Sequence, residues 1–351
     1  MSARALWVGG LALGMAGAVI VSAFTAEAQD RVRWKMQSTF GSNLSVLGES
    51  GARFSEVIDR VSGGTIRFEF FEPNALVPSL EGFDAVRAGS IDALWGTAGY
   101  HTGKIPALAF FTAVPFGPDP DEIMAWLYFG GGHEIYDRVY AEQGLKGLHC
   151  GIISPEASGW FRNPIETPDQ LAGLKMRFFG LGAQVMQKLG VNTQLLAAAE
   201  IYPALERGVI DATEFSMPSI DLDLGFYQVA KNYYFPGWHQ QASILELLLN
   251  KGQWEGLSDQ HRAMIEAVCG DNIRYSLARA EARQGKALAE LEGKGVQIRQ
   301  WSPEMLDALQ RAWDDVIAEQ SKTDPVFKEV YENYAAFREE YAKWKDHGYL
   351  R

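Results

Sequence analysis

The chain has 351 residues, a hydrophobic content of 47 % and a formal net charge of −12. This length exceeds what one hydrophobic core usually serves, so two lobes are expected. The negative charge argues against a nucleic-acid partner, because affinity for nucleic acid depends on clustered Lys and Arg that neutralise phosphates.

The first 28 residues have the pattern of an export signal. Arg4 precedes an apolar run over residues 5–24, and Ala26-Glu27-Ala28 forms a small-x-small cleavage site. An uncleaved membrane anchor is the alternative, but the cleavage site follows the run directly. We therefore predict a signal peptide over residues 1–28, a mature protein over 29–351 and a periplasmic location.

Short extended runs alternate with helical patterns from residue 32 onward. The patterns predict strands over 32–38, 65–71 and 91–95, and helices over 46–61 and 80–88. Helices between strands imply crossover connections and largely parallel strands, with ligands near the carboxyl ends of the strands. We therefore predict an α/β fold with two interwoven lobes, a cleft between them and a helical C-terminal region.

Residues 86–93 and 205–212 resemble each other. In each, a predicted helix ends at a glycine, Gly89 or Gly208, and Ile-Asp-Ala then begins a strand. The repeated string predicts two lobes built alike, each directing a strand end toward a shared cleft. Chance recurrence of a short string is the alternative.

The chain is helical from residue 258 onward, with helices predicted over 258–268 and 271–293 and a further helix starting at Ser302-Pro303. The last helix carries an apolar stripe, which either packs on its own lobe or forms a homodimer contact. The stripe consists of Phe327, Val330, Tyr334, Phe337, Tyr341 and Trp344.

The only two cysteines are Cys150 and Cys269. An exported protein can keep a disulfide, but free cysteine is also a common small core residue. The sequence leaves both states open.

Two charged residues stand at predicted strand ends. Arg177 precedes a glycine-containing turn into a helix, so its guanidinium should face a cleft. It either forms a surface salt bridge or holds a ligand carboxylate with its rigid fork of donors. Glu214 lies on the apolar face of its strand, so it needs a buried Arg or Lys, a metal ion or a polar substrate as its partner.

Enzyme signatures are scarce. Gly180 and Gly182 match part of a dinucleotide fingerprint, but the third glycine is missing. The chain has no nucleophile elbow, zinc-protease motif or phosphate loop. We expect neither a catalytic cofactor nor enzymatic activity.

Several strings along the whole chain resemble the periplasmic solute-binding proteins of tripartite ATP-independent periplasmic (TRAP) transporters, in particular the binders of 2-oxo acids and lactate. The strings are Trp34-Lys35-Met36, Ala113-Val114-Pro115-Phe116-Gly117, Tyr128-Phe129-Gly130-Gly131-Gly132, Gly159-Trp160-Phe161-Arg162, Leu174-Lys175-Met176-Arg177, Ile201-Tyr202-Pro203-Ala204-Leu205, Gly225-Phe226-Tyr227 and Tyr234-Phe235-Pro236-Gly237-Trp238.

The resemblance implies two α/β lobes that close on a ligand, with Arg177 gripping the substrate carboxylate. It also implies a cation, Na⁺ or Ca²⁺, held by Glu156, Glu214, the backbone carbonyl of Phe215 and Gln240. The chain departs from the family at Glu156, where relatives carry glutamine, and at Phe215, which replaces a frequent tryptophan. Gln240 stands where an acid or amide is expected. Two ionised glutamates in one cleft would call for a cation, and calcium suits two carboxylates better than sodium.

The function implied by the resemblance is capture of a small organic acid, a 2-oxo or 2-hydroxy acid such as pyruvate or lactate, and its delivery to the TRAP membrane permease. Tyr100 and Trp238 lie in predicted cleft loops, where they either line the pocket or pack in the core. We predict that Arg177→Ala abolishes binding and leaves the fold intact.

Three alternatives remain open. The same fold could bind a zwitterionic or sugar-acid solute. A secreted hydrolase or lyase could use Glu156 and Glu214 as an acid–base pair. A sensor subunit could present its ligand-induced closure to a receptor.

Overall fold

The computed structural model describes Met1 and residues 31–349, so the predicted cleavage site lies outside the described residues. The strands of the described part are β1 (Val32–Ser38), β2 (Ile66–Phe71), β3 (Ala93–Gly96), β4 (Leu145–Ile153), β5 (Gly159–Phe161), β6 (Lys175–Arg177), β7 (Asn192–Gln194), β8 (Ala212–Thr213), β9 (Asn232–Phe235), β10 (Ser243–Asn250) and β11 (Gln297–Gln300).

The α-helices of the same residues are α1 (Leu47–Val61), α2 (Gly82–Arg87), α3 (Pro120–Phe129), α4 (Gly132–Ala141), α5 (Gly180–Lys188), α6 (Ala198–Glu206), α7 (Pro218–Leu224), α8 (Lys251–Glu255), α9 (Asp259–Glu281), α10 (Gln284–Gly293), α11 (Pro303–Thr323) and α12 (Pro325–Gly348). Short 3₁₀ helices cover Ser79–Glu81, Ala98–His101, Pro106–Phe111, Pro168–Leu171 and Phe226–Gln228. Within the described range, no helix combines the length and apolar character needed to span a membrane.

The strands form two sheets, and each sheet defines a lobe. The first lobe has the strand order β2-β1-β3-β10-β4, and the second has β11-β9-β5-β8-β6-β7. The chain leaves the first sheet after β4, returns for β10 and leaves again for β11, so the lobes are interwoven as predicted. The sheets are mixed rather than largely parallel, because β10 runs antiparallel to β3 and β4, and β5 runs antiparallel to β8 and β9. Neither β10 nor β5 is reached by a helical crossover within its own sheet.

The repeated sequence string has the same structure in both lobes. The glycines that end the two repeated helices both adopt a φ of 72°. In the first lobe, the Asp92 carboxylate accepts a hydrogen bond from the Lys35 amide at 2.8 Å. In the second, Asp211 accepts one from the Lys175 amide at 3.1 Å. The shared backbone and side-chain geometry confirms that the string marks two similarly built lobes.

The predicted helix break near residue 270 is wrong. Helix α9 continues through Cys269 and Gly270, and the chain breaks instead between Glu281 and Gln284. The helix packs against β4 and α1, and Cys269 forms a disulfide with Cys150 of β4 at a Cα–Cα distance of 4.1 Å. Tertiary packing therefore overrides the low helix propensity of glycine.

The apolar stripe of α12 divides into two parts. Phe327, Val330 and Tyr334 are buried, and the rings of Phe327 and Tyr334 lie 4.8 and 5.5 Å from that of Phe110. Trp344, near the end of the helix, is 59 % exposed. The first part packs on its own chain, as does Phe337 beside it, and Trp344 lies at the surface.

Candidate functional site

A small cavity lies between the two lobes, at the ends of their strands. The cavity is lined by Phe40, Leu47, Thr97, Tyr100, Ile153, Glu156, Arg177, Phe179, Phe215, Ser216, Gln240, Ser243 and Leu245.

Arg177 is fixed in the wall of this cavity. It ends β6, and its side chain is 1 % exposed, so the predicted alternative of a surface salt bridge is wrong. Its Nη1 donates to the backbone oxygen of Glu214 at 2.8 Å and to Glu214 Oε1 at 2.9 Å. Its Nε donates to the Leu196 carbonyl at 3.4 Å. These bonds use Nε and both Nη1 hydrogens, so Nη2 has the donors left to face a ligand.

Glu214 thus has the buried arginine partner that its sequence position required. It follows β8, and its side chain is 1 % exposed. Arg177 and Glu214 hold each other in place, so replacing Arg177 with alanine would leave a buried carboxylate without its cation. Such a loss typically costs about 3–5 kcal/mol, which argues against an intact fold in Arg177→Ala.

A second buried carboxylate approaches the same point from the first lobe. Glu156 follows β4, and within the described residues its Oε2 has no hydrogen-bond partner. The Nε2 of His239 lies 3.6 Å from Glu156 Oε2 and 3.9 Å from Glu214 Oε2. One ligand atom from each of these three residues falls within 4.8 Å of the others. The fold therefore brings together groups from three separate segments.

The ionisation of these groups reflects their burial. Burial raises the pKa of Glu156 well above its ordinary value, and the charges of Glu214 and Asp221 raise it further. Burial raises the pKa of Glu214 although Arg177 opposes the change, and it raises the pKa of Asp221 to about 8. Burial also lowers the pKa of His239 to about 3, so the ring is neutral near pH 7. The positive charge of Arg177 therefore cannot neutralise the three buried carboxyl groups if all of them are ionised.

This donor set fits a cation. The unpartnered Glu156 oxygen, the Glu214 carboxylate and the nearby Gln240 provide the oxygen ligands that hard cations prefer. Gln240 lines the cavity, and its backbone carbonyl accepts a hydrogen bond from the Glu156 amide at 3.2 Å. Phe215 also lines the cavity, and its ring lies 5.2 Å from the Arg177 guanidinium carbon.

The aromatic candidates differ in position. Tyr100 lines the cavity; burial raises its pKa to about 12 although the nearby positive charge of Arg177 opposes the rise. Trp238 is not in the cavity wall. It is 3 % exposed and packs behind the wall against Phe116 and Phe178, at ring distances of 5.8 and 5.9 Å.

One contact joins the lobes beside the cavity. Phe179, which follows β6 of the second lobe, lies directly over Gly99, which follows β3 of the first. A Cβ atom on Gly99 would lie 2.0 Å from Phe179 Cζ. The Phe179 ring also packs edge-on against Tyr100 at 5.1 Å. Only glycine permits this approach of the two lobes.

Sequence reasoning missed several residues of the site. Thr97 and Ser243 are joined through Thr112, with oxygen–oxygen distances of 2.5 and 2.9 Å. Ser216 and Phe179 line the cavity. His239 directly precedes the predicted Gln240, and this adjacency was the one local signal that could have identified it.

Comparison with known proteins agrees with this fold and site. Residues 37–324 match the family model described as bacterial extracellular solute-binding protein, family 7. A monocarboxylate 2-oxoacid-binding periplasmic protein from Nostoc sp. is 36 % identical over 314 residues, which cover 89 % of this chain and 86 % of that protein.

Two solved structures are also similar. A TRAP transporter solute binding protein from Bordetella bronchiseptica RB50, with copurified calcium and picolinate, has a TM-score of 0.89 at 32 % identity and covers 91 % of this chain and 95 % of its own. A TRAP periplasmic solute binding protein from Pseudoalteromonas atlantica T6c, with bound sodium and pyruvate, has a TM-score of 0.87 at 28 % identity. The match covers 91 % of this chain and 97 % of that protein's chain.

The two-lobed α/β fold with a polar cavity between the lobes defines the class of solute-binding proteins. The chain belongs to the bacterial extracellular solute-binding protein family 7, the solute-binding component of TRAP transporters. Proteins of this family are periplasmic, bind small organic acids for membrane permeases and are not enzymes. The predicted family, fold class and absence of catalysis are thereby confirmed.

Proposed function

We propose that this protein binds a small 2-oxo or 2-hydroxy monocarboxylate, such as pyruvate or lactate, together with a cation. The observation that carries the proposal is the buried Arg177 in the wall of a small cavity, opposite an unpartnered carboxylate oxygen of Glu156. The relative from Nostoc is described as a 2-oxoacid binder, and the Pseudoalteromonas protein holds pyruvate with sodium.

Each side chain has a distinct role in this proposal. Arg177 takes the ligand carboxylate through its Nη2 donors, and Tyr100 lines the cavity from the first lobe. Glu156, Glu214, the Phe215 carbonyl and the Gln240 side chain hold the cation, which the 2-oxo or 2-hydroxy oxygen of the ligand also contacts. Trp238 supports the wall from behind.

The charges favour a divalent ion. A bound cation favours the ionised carboxylates over the protonated forms that burial alone favours. Glu156 and Glu214 then contribute −2, Arg177 contributes +1 and a monocarboxylate ligand contributes −1, which leaves −2 in a buried cavity before the cation is counted. A calcium ion brings this sum to zero, whereas a sodium ion leaves −1. Because isolated buried charge is costly, calcium is the better partner for this pair of glutamates.

A thermal-shift screen tests the proposal, because a ligand that binds only the folded state raises its apparent stability. The protein is first freed of metal, and then pyruvate, lactate, sugar acids and zwitterionic solutes are each added with Ca²⁺, with Na⁺ and with a chelator. We expect a cation-dependent shift with pyruvate or lactate. A chelator-insensitive shift with a zwitterion or sugar acid would instead mean that the glutamates contact the solute itself.

We also propose that residues 1–28 are a signal peptide, that the mature protein comprises residues 29–351, and that it delivers its ligand to the permease in the periplasm. N-terminal sequencing of the exported protein tests the cleavage site.

We further propose a homodimer through the exposed end of α12, where Trp344 and Tyr349 are 59 % and 45 % exposed. Light scattering of the wild type and of Trp344→Glu tests this contact. A wild-type monomer would contradict it.

A further inference from the structure

A chain of three hydroxyl groups adjoins the cavity, and the proposed function gives it no role. Thr97, which follows β3, and Ser243, which begins β10, both line the cavity. Thr112 connects them from outside the cavity wall, directly after the 3₁₀ helix Pro106–Phe111. All three residues are buried, and Thr112 has an exposure of 0 %.

The chain is held by two hydrogen bonds. The Thr112 hydroxyl oxygen lies 2.5 Å from that of Thr97 and 2.9 Å from that of Ser243, and among residues 31–349 these are its hydrogen bonds. Thr97 is the N-cap residue of the 3₁₀ helix Ala98–His101, yet its side chain makes no capping hydrogen bond. Threonine at an N-cap commonly accepts a bond from the helix backbone, so the Thr97 hydroxyl is used for the chain instead.

The number of hydrogens decides what this chain presents to a ligand. A hydroxyl group has one hydrogen to donate and lone pairs with which to accept, so the three groups bring three hydrogens to two internal bonds. If Thr112 accepted from both neighbours, its own hydrogen would be buried without an acceptor, which is costly. Thr112 therefore donates to one neighbour and accepts from the other. One end of the chain then offers a hydrogen to the cavity, and the other end offers a lone pair.

The two ends are interchangeable, because rotation of the three hydroxyl groups reverses the chain without moving a heavier atom. This property matches the difference between the two acid classes of the proposed function. A 2-oxo oxygen only accepts hydrogen bonds, and it can take the free hydrogen of the chain. A 2-hydroxy group can accept that hydrogen and also donate its own to the other end, which closes a ring of four hydroxyl groups. In both complexes every hydroxyl hydrogen has an acceptor.

We infer that Thr97 and Ser243 contact the 2-oxo or 2-hydroxy oxygen of the ligand, and that Thr112 is the positioning residue whose reversible hydroxyl lets one cavity bind both classes of acid. The inference rests on the proposed function, because it concerns the specificity of the same site. Thr112 does not contact the ligand. It accepts the hydrogen of whichever end has to present a lone pair.

Thr112→Val tests this role, because it replaces the hydroxyl with a methyl group and leaves the cavity wall unchanged. The hydrogens of Thr97 and Ser243 then lose their internal acceptor. Pyruvate can accept both of them at its 2-oxo oxygen, whereas lactate brings a third hydrogen for which no acceptor remains. The ratio of the lactate to the pyruvate dissociation constant should therefore rise at least about fivefold, as expected for one buried donor without a partner.

Thr112→Ser is the matched control, because it loses a methyl group and keeps the hydroxyl. Its ratio of dissociation constants should stay within about twofold of the wild-type ratio, since the chain can still reverse. Ser243→Ala gives a second test, in case Thr112→Val does not fold. Thr112 can then donate only to Thr97, so the chain cannot reverse, and the ratio should rise as in Thr112→Val.

Calorimetric titration with pyruvate and with lactate gives both dissociation constants for the wild type and each variant, in the presence of Ca²⁺ and of Na⁺. An equal loss of affinity for the two acids in Thr112→Val and Ser243→Ala, or an unchanged ratio, would overturn the inference and leave the proposed function standing. The same rise of the ratio in Thr112→Ser, or a wild type that binds only one of the two acids, would also overturn it. Failure of the wild type to bind either acid with either cation would instead refute the proposed function, and this inference with it.

Discussion

Gly99→Ala should weaken ligand binding without unfolding the protein. The added Cβ would lie 2.0 Å from Cζ and 2.6 Å from Cε1 of Phe179, which is far inside van der Waals contact. Because Gly99 and Phe179 belong to different lobes, the clash arises only when the lobes meet across the cavity. The substitution should therefore penalise the closed state and spare the open one.

The magnitude follows from the cost of overpacking. Extra atoms in a well-packed contact typically cost about 1–3 kcal/mol, and this penalty applied to the closed state alone corresponds to a roughly 5- to 150-fold rise in the dissociation constant. Phe179 is 7 % exposed and has little room to move aside. Relief of the clash by a smaller side chain, in Gly99→Ala/Phe179→Leu, should restore part of the lost affinity.

Calorimetric titration with the ligand found in the thermal-shift screen gives the affinity, and solution X-ray scattering gives the lobe separation with ligand present. Gly103→Ala is the matched control, since a Cβ at Gly103 would meet no atom within 4 Å. Wild-type affinity in Gly99→Ala would refute the closure argument. An equal loss of stability with and without ligand would show that the contact persists in both states.

Three further outcomes are expected. Arg177→Lys should keep the buried charge but lose the forked donors of the guanidinium. A hydrogen bond to a charged group contributes about 1.5–3 kcal/mol, so its loss should weaken ligand binding about 10- to 150-fold. Unchanged affinity in a calorimetric titration would contradict the role of Arg177 as the carboxylate anchor. Cys150→Ala/Cys269→Ala removes a disulfide between residues that are 119 apart in sequence. The gain of chain entropy in the unfolded state should lower the free energy of unfolding by about 5 kcal/mol. A decrease below about 1 kcal/mol in urea denaturation would contradict this prediction. Burial raises the pKa of Glu246 from 4.5 to about 7. Between these two pH values the folded state therefore binds more protons than the unfolded state. The free energy of unfolding should fall by about 3 kcal/mol as the pH rises from 4.5 to about 7. Glu246→Gln should remove that part of the pH dependence in urea melts, and an unchanged slope would show that the carboxyl group is ionised.

The Glu246 effect has a structural basis outside the cavity. Tyr136 donates to Glu246 Oε2 at 2.6 Å, and Tyr140 donates to the same oxygen at 2.8 Å. Burial lowers the pKa of the neighbouring His101 to about 3, so that ring brings no positive charge near pH 7. Among the described residues no positive charge is paired with this carboxyl group, so burial outweighs the two tyrosine hydrogen bonds and favours the protonated form.

Local patterns in the sequence determined the framework of each lobe. Strand β1 has the predicted bounds, because its hydrophobic pattern and neighbouring breakers are contained within a few residues. Ser302 caps α11 as predicted, accepting a hydrogen bond from the Met305 amide at 3.2 Å. The repeated turns at Gly89 and Gly208 follow from left-handed glycine and an aspartate at a fixed offset. The family resemblance, in turn, indicated four residues that line the cavity, which are Glu156, Arg177, Phe215 and Gln240.

Only the tertiary structure decided which of these residues meet. The pairing of Cys150 with Cys269 depends on how α9 lies on β4, and the same packing carries the helix through Gly270. Glu156, Glu214 and His239 belong to segments that follow different strands, so no spacing along the chain predicts that their ligand atoms lie within 4.8 Å. The physical reason is that periodicity and capping act over a few residues, whereas a site between two interwoven lobes is set by the order in which distant strands join their sheets.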